Sequence, residues 1–281
     1  MERKIAVVTD SACDLQDELL ERYHIRYLPL RVLWKGRDYR DRAELKGEEI
    51  YAMMEEEIPK TSLPRAEDFT ALMDELADEG YTDVLYLSIS SALSGSFNAV
   101  RLWAEEYDRL NIELVDTRSL SMGEGGPVLE AARVIDRGGS MEEAVDRALA
   151  VRESMGAYYV VHTLESLKKG GRIGRVEGTI GTLLNIKPVV TVDEAGEFKT
   201  AAKNKGFRKA VNSMLTKIRD KFEGKTIHAT IIHGDAPEAA KALLEEVKSF
   251  ANVQESFITQ LCPTMAIHTG PGLLGIIAYE L

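Results

Sequence analysis

VLYLSISSALSGSFNAV, residues 84–100, runs from an apolar strand through a hydroxyl-rich loop into a helix. Val84 to Ile89 is apolar and β-branched, which reads as a buried strand. Ser88, Ser90, Ser91, Ser94 and Ser96 crowd the turn that follows, and Gly95 lets the backbone bend. Phe97, Val100, Ala104 and Tyr107 then recur at helical spacing. Such a junction can receive an anion, because free N–H groups and the helix dipole converge there. Serine also serves simply as a helix cap at these positions. The loop by itself leaves both readings open.

On the N-terminal side, Ile5 to Val8 is an unbroken apolar run of the kind buried in a parallel sheet. It ends in Thr9-Asp10-Ser11, and Asp14 with Asp17 resembles a helix start before Leu19 and Leu20. Residues 25–33, IRYLPLRVL, form a second strand in which Pro29 marks an edge or bulge. A charged loop through Asp41 leads to a helix carrying Ile50, Met53 and Met54. Pro64 suits a first helical position, so Thr61 and Ser62 are expected at a helix N-terminus. Ile112 to Val115 is a strand, with helices at about 126–137 and 141–154. This alternation predicts a doubly wound, mostly parallel α/β domain over residues 1–155.

Past residue 155 the order changes. Strands are expected at 157–161, 186–192, 198–200, 226–232, 253–261 and 273–279, and helices near 176–184, 207–222 and 236–250. Asp193-Glu194-Ala195-Gly196 reads as a hairpin turn. Adjacent strands without a helix between them imply a mixed sheet in a second α/β domain, residues 156–281.

The 281 residues carry a net charge of −11, with 44% hydrophobic and 29% charged residues, as in a soluble globular protein. That charge argues against a nucleic-acid partner, which requires clustered Lys and Arg. Two cysteines, Cys13 and Cys262, give no disulfide scaffold or zinc spacing. Four apolar residues before Thr9 fall short of a signal peptide, and nothing approaches a membrane span. The expected compartment is the cytoplasm.

Several strands end in hydroxyls or histidines, namely Thr9/Ser11, Ser88/Ser90/Ser91, Thr117/Ser119, His162/Thr163 and His233. Ligands bind beyond the carboxyl ends of strands in open α/β sheets, although Ser and Thr are frequent wherever strands stop. No GxxxxGK[ST] phosphate loop and no GxSxG elbow occurs. Gly270-Pro271-Gly272-Leu273-Leu274-Gly275 matches GxGxxG by letters, but precedes a strand and reads as a tight turn. His228 and His233 are five apart on a strand and face opposite sides, which disfavours a metal pair. Cys13 reads as a small buried residue. His268 lies between Ile267 and a Gly-Pro-Gly turn, where a lone histidine is more often structural. Arg172 follows two glycines after a helix end, to complement its dipole or to reach across a cleft.

Taken in order, six segments resemble the DegV family of bacterial fatty-acid-binding proteins, which includes the binding subunit of fatty acid kinase. They are Thr9-Asp10-Ser11 with Asp14, Thr61-Ser62-x-Pro64, Ser90-Ser91-x-Leu93-Ser94-Gly95, Leu164-x-x-Leu167-Lys168-Lys169-Gly170-Gly171-Arg172-Ile173, Leu184-Asn185-Ile186-Lys187-Pro188 and His268-Thr269-Gly270-Pro271-Gly272. The resemblance implies two α/β domains with a lipid tunnel between them. It places the family's carboxylate-binding hydroxyls on Thr61 and Ser94, and Arg172 and His268 near the ligand head, with Ser62 and Ser91 beside them. Leu63 stands where the family commonly has a polar residue, and Ala92 and Ser96 replace Gly and Thr. Asn204-Lys205-Gly206 occupies a segment where kinase-dependent relatives carry arginine, which leaves Lys203 and Lys205 as docking candidates.

The implied function is non-catalytic. On this resemblance the chain is expected to bind a long-chain fatty acid, with no other cofactor and no metal, and to present its carboxylate to an ATP-binding kinase subunit, with transient membrane contact for lipid exchange. A lipid sensor or carrier without a kinase, or a free-standing enzyme using Ser94 or His268, are the alternatives. Two hydroxyls suit one carboxylate better than a phosphate cluster, which calls for more fixed positive charge. Burying roughly 15 methylenes gains on the order of 12 kcal/mol before ordering costs, so the tail supplies the attraction and the head sets orientation.

Overall fold

The structure is a computed structural model and describes residues 3–176 and 185–281. The helix expected near 176–184 therefore lies outside the described residues, apart from Val176. Two main sheets are stacked with helices between and outside them. The first has the order β2-β1-β6-β7, from Arg26–Leu28, Ile5–Asp10, Asp83–Ser88 and Asn111–Asp116, all parallel. Its strands are buried on both faces. Ala6, Val8, Val84 and Tyr86 pack with Phe69, Met73, Leu76 and Val100, which lie on α3 (Ala66–Asp78) and α4 (Ser96–Glu105). Val7, Leu85 and Leu87 point the other way, toward Val128, Leu129 and Ala132 of α5 (Met122–Asp136). This alternation explains why these runs are continuously apolar.

The second sheet is mixed and six-stranded, in the order β10-β9-β8-β13-β11-β12. These are Phe198–Lys205, Ile186–Val192, Gly156–Val160, Leu274–Glu280, Thr226–His233 and Asn252–Gln260. Only β11 and β12 are parallel. Its outer face is covered by Met214, Ile218 and Phe222 of α8 (Phe207–Phe222) and by Leu243, Leu244 and Val247 of α9 (Pro237–Lys248). Its inner face joins Tyr159, Val190, Ile232 and Ile277 to the α5 layer, where α6 (Met141–Ser154) adds Ala144 and Ala148. One apolar cluster thus runs between the two sheets.

Three features depart from the sequence reading. The strand expected at 25–33 is two strands: Arg26–Leu28 joins the parallel sheet, whereas β3 (Arg31–Trp34) enters a separate antiparallel sheet, β4-β3-β5. Pro29 brings no N–H to a ladder and the Leu30 N–H bonds Ser11 Oγ at 3.0 Å, so pairing breaks there. The partners β4 (Arg37–Arg40) and β5 (Lys60–Ser62) are short and lack an apolar alternation. Consequently Thr61 lies on a strand opposite Val32, not at a helix N-terminus, and α3 begins two residues beyond Pro64. Finally, His268 lies on α10 (Pro263–Thr269), a short helix with Pro263 in its first turn.

Candidate functional site

The parallel sheet reverses its strand order between β1 and β6, and the crevice beyond the carboxyl ends there is the expected ligand position. Asp10 closes the floor of that crevice: its carboxylate accepts from Ala12 N at 3.0 Å, Ile89 N at 2.9 Å and Ser88 Oγ at 3.1 Å. Burial pushes its pKa from 3.8 to about 6 against these hydrogen bonds. Thr9 Oγ1 donates to the equally buried Glu124 at 2.8 Å. Ser90, Thr117 and Ser119 are buried too: Ser90 Oγ donates to Gly196 O at 2.8 Å and Thr117 Oγ1 to Ser88 O at 2.8 Å. Most of the hydroxyls at strand ends therefore satisfy backbone and carboxylate groups of the scaffold.

Beside this network, which meets it at Ile89, lies a cavity of about 220 Å³ lined by residues from both halves of the chain. Its polar side carries Thr61, Ser62, Ser94, Arg172 and His268, five of the residues expected near a ligand head. Leu30, Ile89, Leu93, Leu120, Leu167, Phe198 and Met265 make the remainder mostly apolar. A larger concavity of about 690 Å³ opens elsewhere, around His24, Arg26, Arg40 and Glu75, and contains none of the expected residues. The smaller cavity is the candidate because it combines an apolar wall with a few convergent polar groups.

Each polar group reaches the cavity by a different route. Ser94 immediately precedes the cap of α4: its Oγ accepts from Ser96 N at 3.2 Å and pairs with Ser96 Oγ at 2.8 Å. Thr61 is brought in by β5, and its Oγ1 lies 2.9 Å from His268 Nε2. His268 Nδ1 is shielded from solvent against Gly170, where an added Cβ would lie 2.2 Å from that nitrogen. Burial, helped by the neighbouring Arg172 charge, lowers the pKa of His268 from 6.5 to about 4. The ring is thus neutral near pH 7 and offers Thr61 one donor or one acceptor. Arg172 is exposed, and its guanidinium donates to Gly170 O at 2.6 Å, just after the end of α7 (Glu165–Lys169). Gly170 is therefore held between the two side chains.

Ser91 is not in the cavity wall, and its Oγ donates to Asp116 at 2.6 Å. Lys203 and Lys205 are exposed on the same face of the edge strand β10. Two lining residues of α10, Thr264 and Met265, were not named in the sequence reading. Pro263 at its first turn was the available signal. His228 bonds Glu255 at 3.1 Å and Thr230 at 2.8 Å. Among the described residues no group of three His, Cys, Asp or Glu is arranged to hold a metal, and no helix is long and apolar enough to cross a membrane.

Comparison with known proteins bears on this arrangement. Residues 4–281 match the family described as "Uncharacterised protein, DegV family". A DegV domain-containing protein of Clostridium acetobutylicum is 36% identical over 277 residues, covering 99% of each chain. A Thermus thermophilus DegV family protein, whose structure is described by its fatty acid binding, is 38% identical with a TM-score of 0.92, covering 99% of this chain and 100% of that one. DegV of Bacillus subtilis, described as a fatty acid binding protein, is 28% identical with a TM-score of 0.90 over 100% of both chains. Fold, length and sequence agree over the whole described chain, which belongs to the DegV family.

Proposed function

We propose that this chain binds a long-chain fatty acid, with its carboxylate at Thr61 and Ser94 and its tail along the apolar wall. The observation that carries this reading is the cavity itself. Thr61, Ser62, Ser94, Arg172 and His268, from four distant segments, meet in a pocket whose other walls, apart from Thr264 and Thr269, are Leu, Ile, Phe and Met. With the ring proton of His268 on Nε2, Thr61 Oγ1 accepts from the ring and keeps its own O–H for the carboxylate, as Ser94 does when Ser96 Oγ donates to it, and the neutral ring adds no charge of its own. The fatty acid binding of the Thermus and Bacillus relatives supports the same ligand class. Extraction of the purified protein with organic solvent, followed by mass spectrometry, tests it. Stoichiometric fatty acid, or uptake of added oleate or palmitate, is the expected result; neither appearing would refute it.

The second part of the proposal is that the bound carboxylate is presented to an ATP-binding kinase subunit, with Lys203 and Lys205 as docking contacts. Phosphoryl transfer needs a phosphate cradle and metal ligands, for which the sequence offers no motif, so the nucleotide comes with the partner. An enzyme using Ser94 with His268 as its base is disfavoured by geometry. Ser94 Oγ bonds Ser96 and His268 Nε2 bonds Thr61, so these two do not form a nucleophile–base pair. ATP turnover by lipid-loaded protein, with and without candidate kinases from the same cell, separates the readings. Turnover only with a kinase supports presentation, and none with any candidate leaves a carrier or sensor.

A further inference from the structure

Asp41, fully buried between β4 and α2 (Gly47–Glu56), is the meeting point of two hydrogen-bonded arms. The first arm runs toward Thr61. Asp41 N–H donates to Leu30 O at 2.9 Å, Leu30 N–H to Ser11 Oγ at 3.0 Å, and Ser11 Oγ to Asp41 Oδ2 at 2.5 Å. This closed ring fixes Leu30, the residue before β3, and β3 carries β5 with Val32 opposite Thr61. The second arm runs toward His268. Thr264 N–H, in the first turn of α10, donates to Asp41 Oδ1 at 3.1 Å, and His268 follows one helical turn later. Both arms end on the cavity wall, since Leu30 and Thr264 line it.

We propose that Asp41 is the positioning residue of the head-group site, holding β3–β5 and α10 in the register that brings Thr61 Oγ1 to His268 Nε2. Burying a carboxylate is costly, and an apolar side chain could occupy the space. What the carboxylate adds is a rigid fork with two acceptors, one for each arm. The neighbouring Arg42 does not take up this role, because its guanidinium donates to Leu15 O and to Asp17, both at 2.6 Å. Asp14 also grips α10, accepting from Cys262 N at 2.7 Å, but its other oxygen accepts from Ser121 beside α5 and leads away from β5. Of these acidic groups, Asp41 alone joins the two elements that carry the Thr61–His268 pair.

The inference rests on the carboxylate reading of this cavity, yet its test does not need the ligand. The ring resonances of His268 in ¹⁵N-histidine-labelled protein, assigned with His268→Gln, report the register directly. They are compared among wild type, Asp41→Asn, Asp41→Glu and Asp41→Ala, each well below its unfolding midpoint. Asp41→Asn keeps an oxygen for Thr264 N–H and can donate its amide N–H to Ser11 Oγ, which has a second lone pair, so both arms stay bridged and the resonances should stay near wild type. Asp41→Glu and Asp41→Ala should move them and weaken oleate binding about tenfold or more. Should neither fold, Ser11→Ala, which cuts only the Leu30 arm, carries the same expectation. Unmoved His268 resonances in the variant that folds would overturn the proposal and leave Asp41 as a stabilising residue. Failure of wild type to take up oleate or palmitate would instead refute the ligand reading, while the resonances still decide the role of Asp41.

Discussion

Thr61 Oγ1 and His268 Nε2, 207 residues apart in the chain, lie 2.9 Å from one another at the polar side of the cavity. The contact joins a strand of the small antiparallel sheet to a seven-residue helix that connects β12 to β13 of the mixed sheet. A threonine that shares a hydrogen bond with a neutral imidazole is held in one rotamer, so its remaining capacity points at one place. That defined direction is what recognition of a single carboxylate requires.

Thr61→Val and Ser94→Ala should each weaken fatty-acid binding. Each removes one hydrogen bond to a charged group, worth about 1.5–3 kcal/mol, or roughly ten- to a hundredfold in affinity. Ser94→Ala should also cost some stability, since Ser94 Oγ accepts the N–H of Ser96. Titration with a fluorescent fatty acid measures the first effect and thermal unfolding the second. Unchanged affinity in both variants would place the head group elsewhere.

Gly170→Ala and Gly171→Ala should separate site geometry from backbone strain. Gly170 has an ordinary helical backbone, but a Cβ there would press on His268 Nδ1 at 2.2 Å. Its substitution should displace the imidazole and lower affinity about tenfold. Gly171 has open space around it but a φ of +70°. Its substitution should cost about 1 kcal/mol of stability and little affinity. The opposite pattern would contradict the placement of His268.

Stability should depend on pH through Asp14. Burial raises its folded-state pKa from 3.8 to about 6, outweighing hydrogen bonds from Ser121 and Cys262. The folded protein therefore holds this proton more tightly than the unfolded chain does. The stabilisation is complete below the unfolded value and is lost as pH rises through the folded one. Asp14→Asn keeps an oxygen for Cys262 N–H and has no proton to lose. Between pH 7 and pH 4 wild type should gain on this variant by on the order of 2 kcal/mol. Urea unfolding at each pH provides the comparison, and a constant gap would exclude titration of Asp14 in this window.

Arg133→Met should be strongly destabilising without touching the cavity. Its guanidinium donates to both oxygens of Glu255, at 2.6 and 2.8 Å, and to Glu130 at 2.7 Å. The Glu130 side chain is only 7% exposed, so removing this partner leaves a poorly solvated charge, although Arg147 still bonds it. A loss of about 3 kcal/mol is expected. Fatty-acid affinity below the unfolding midpoint should stay at the wild-type level.

The layered α/β order was legible because Ile5–Val8 and Val84–Ile89 are buried on both faces, and such runs have few other interpretations. The mixed sheet followed from adjacent strands around the 193–196 turn. What escaped the reading has a common physical cause. β4, β5 and α10 are too short to show a period, and their places are set by long-range partners such as Val32, Asp41 and Asp14. The start of α5 was hidden by Gly123, Gly125, Gly126 and Pro127, which look like helix breakers. There Gly125 lets the helix approach Cys13 O, and Gly126 makes room for Tyr279. Site residues were named from sequence motifs, but motifs do not give direction. Ser91 turns to Asp116, and Thr61 reaches the cavity from a strand.

Assembly from four distant segments also has a temporal meaning. During synthesis the strand bearing Thr61, the loop bearing Ser94 and the turn bearing Arg172 leave the ribosome well before α10. The pocket gains its histidine only after residue 268 has been made and α10 has docked against β3 and β5. A fatty acid bound as proposed would therefore meet its full head-group site only once α10 is in place. Its occupancy would act as a clasp across the whole topology, raising stability in proportion to the logarithm of free ligand.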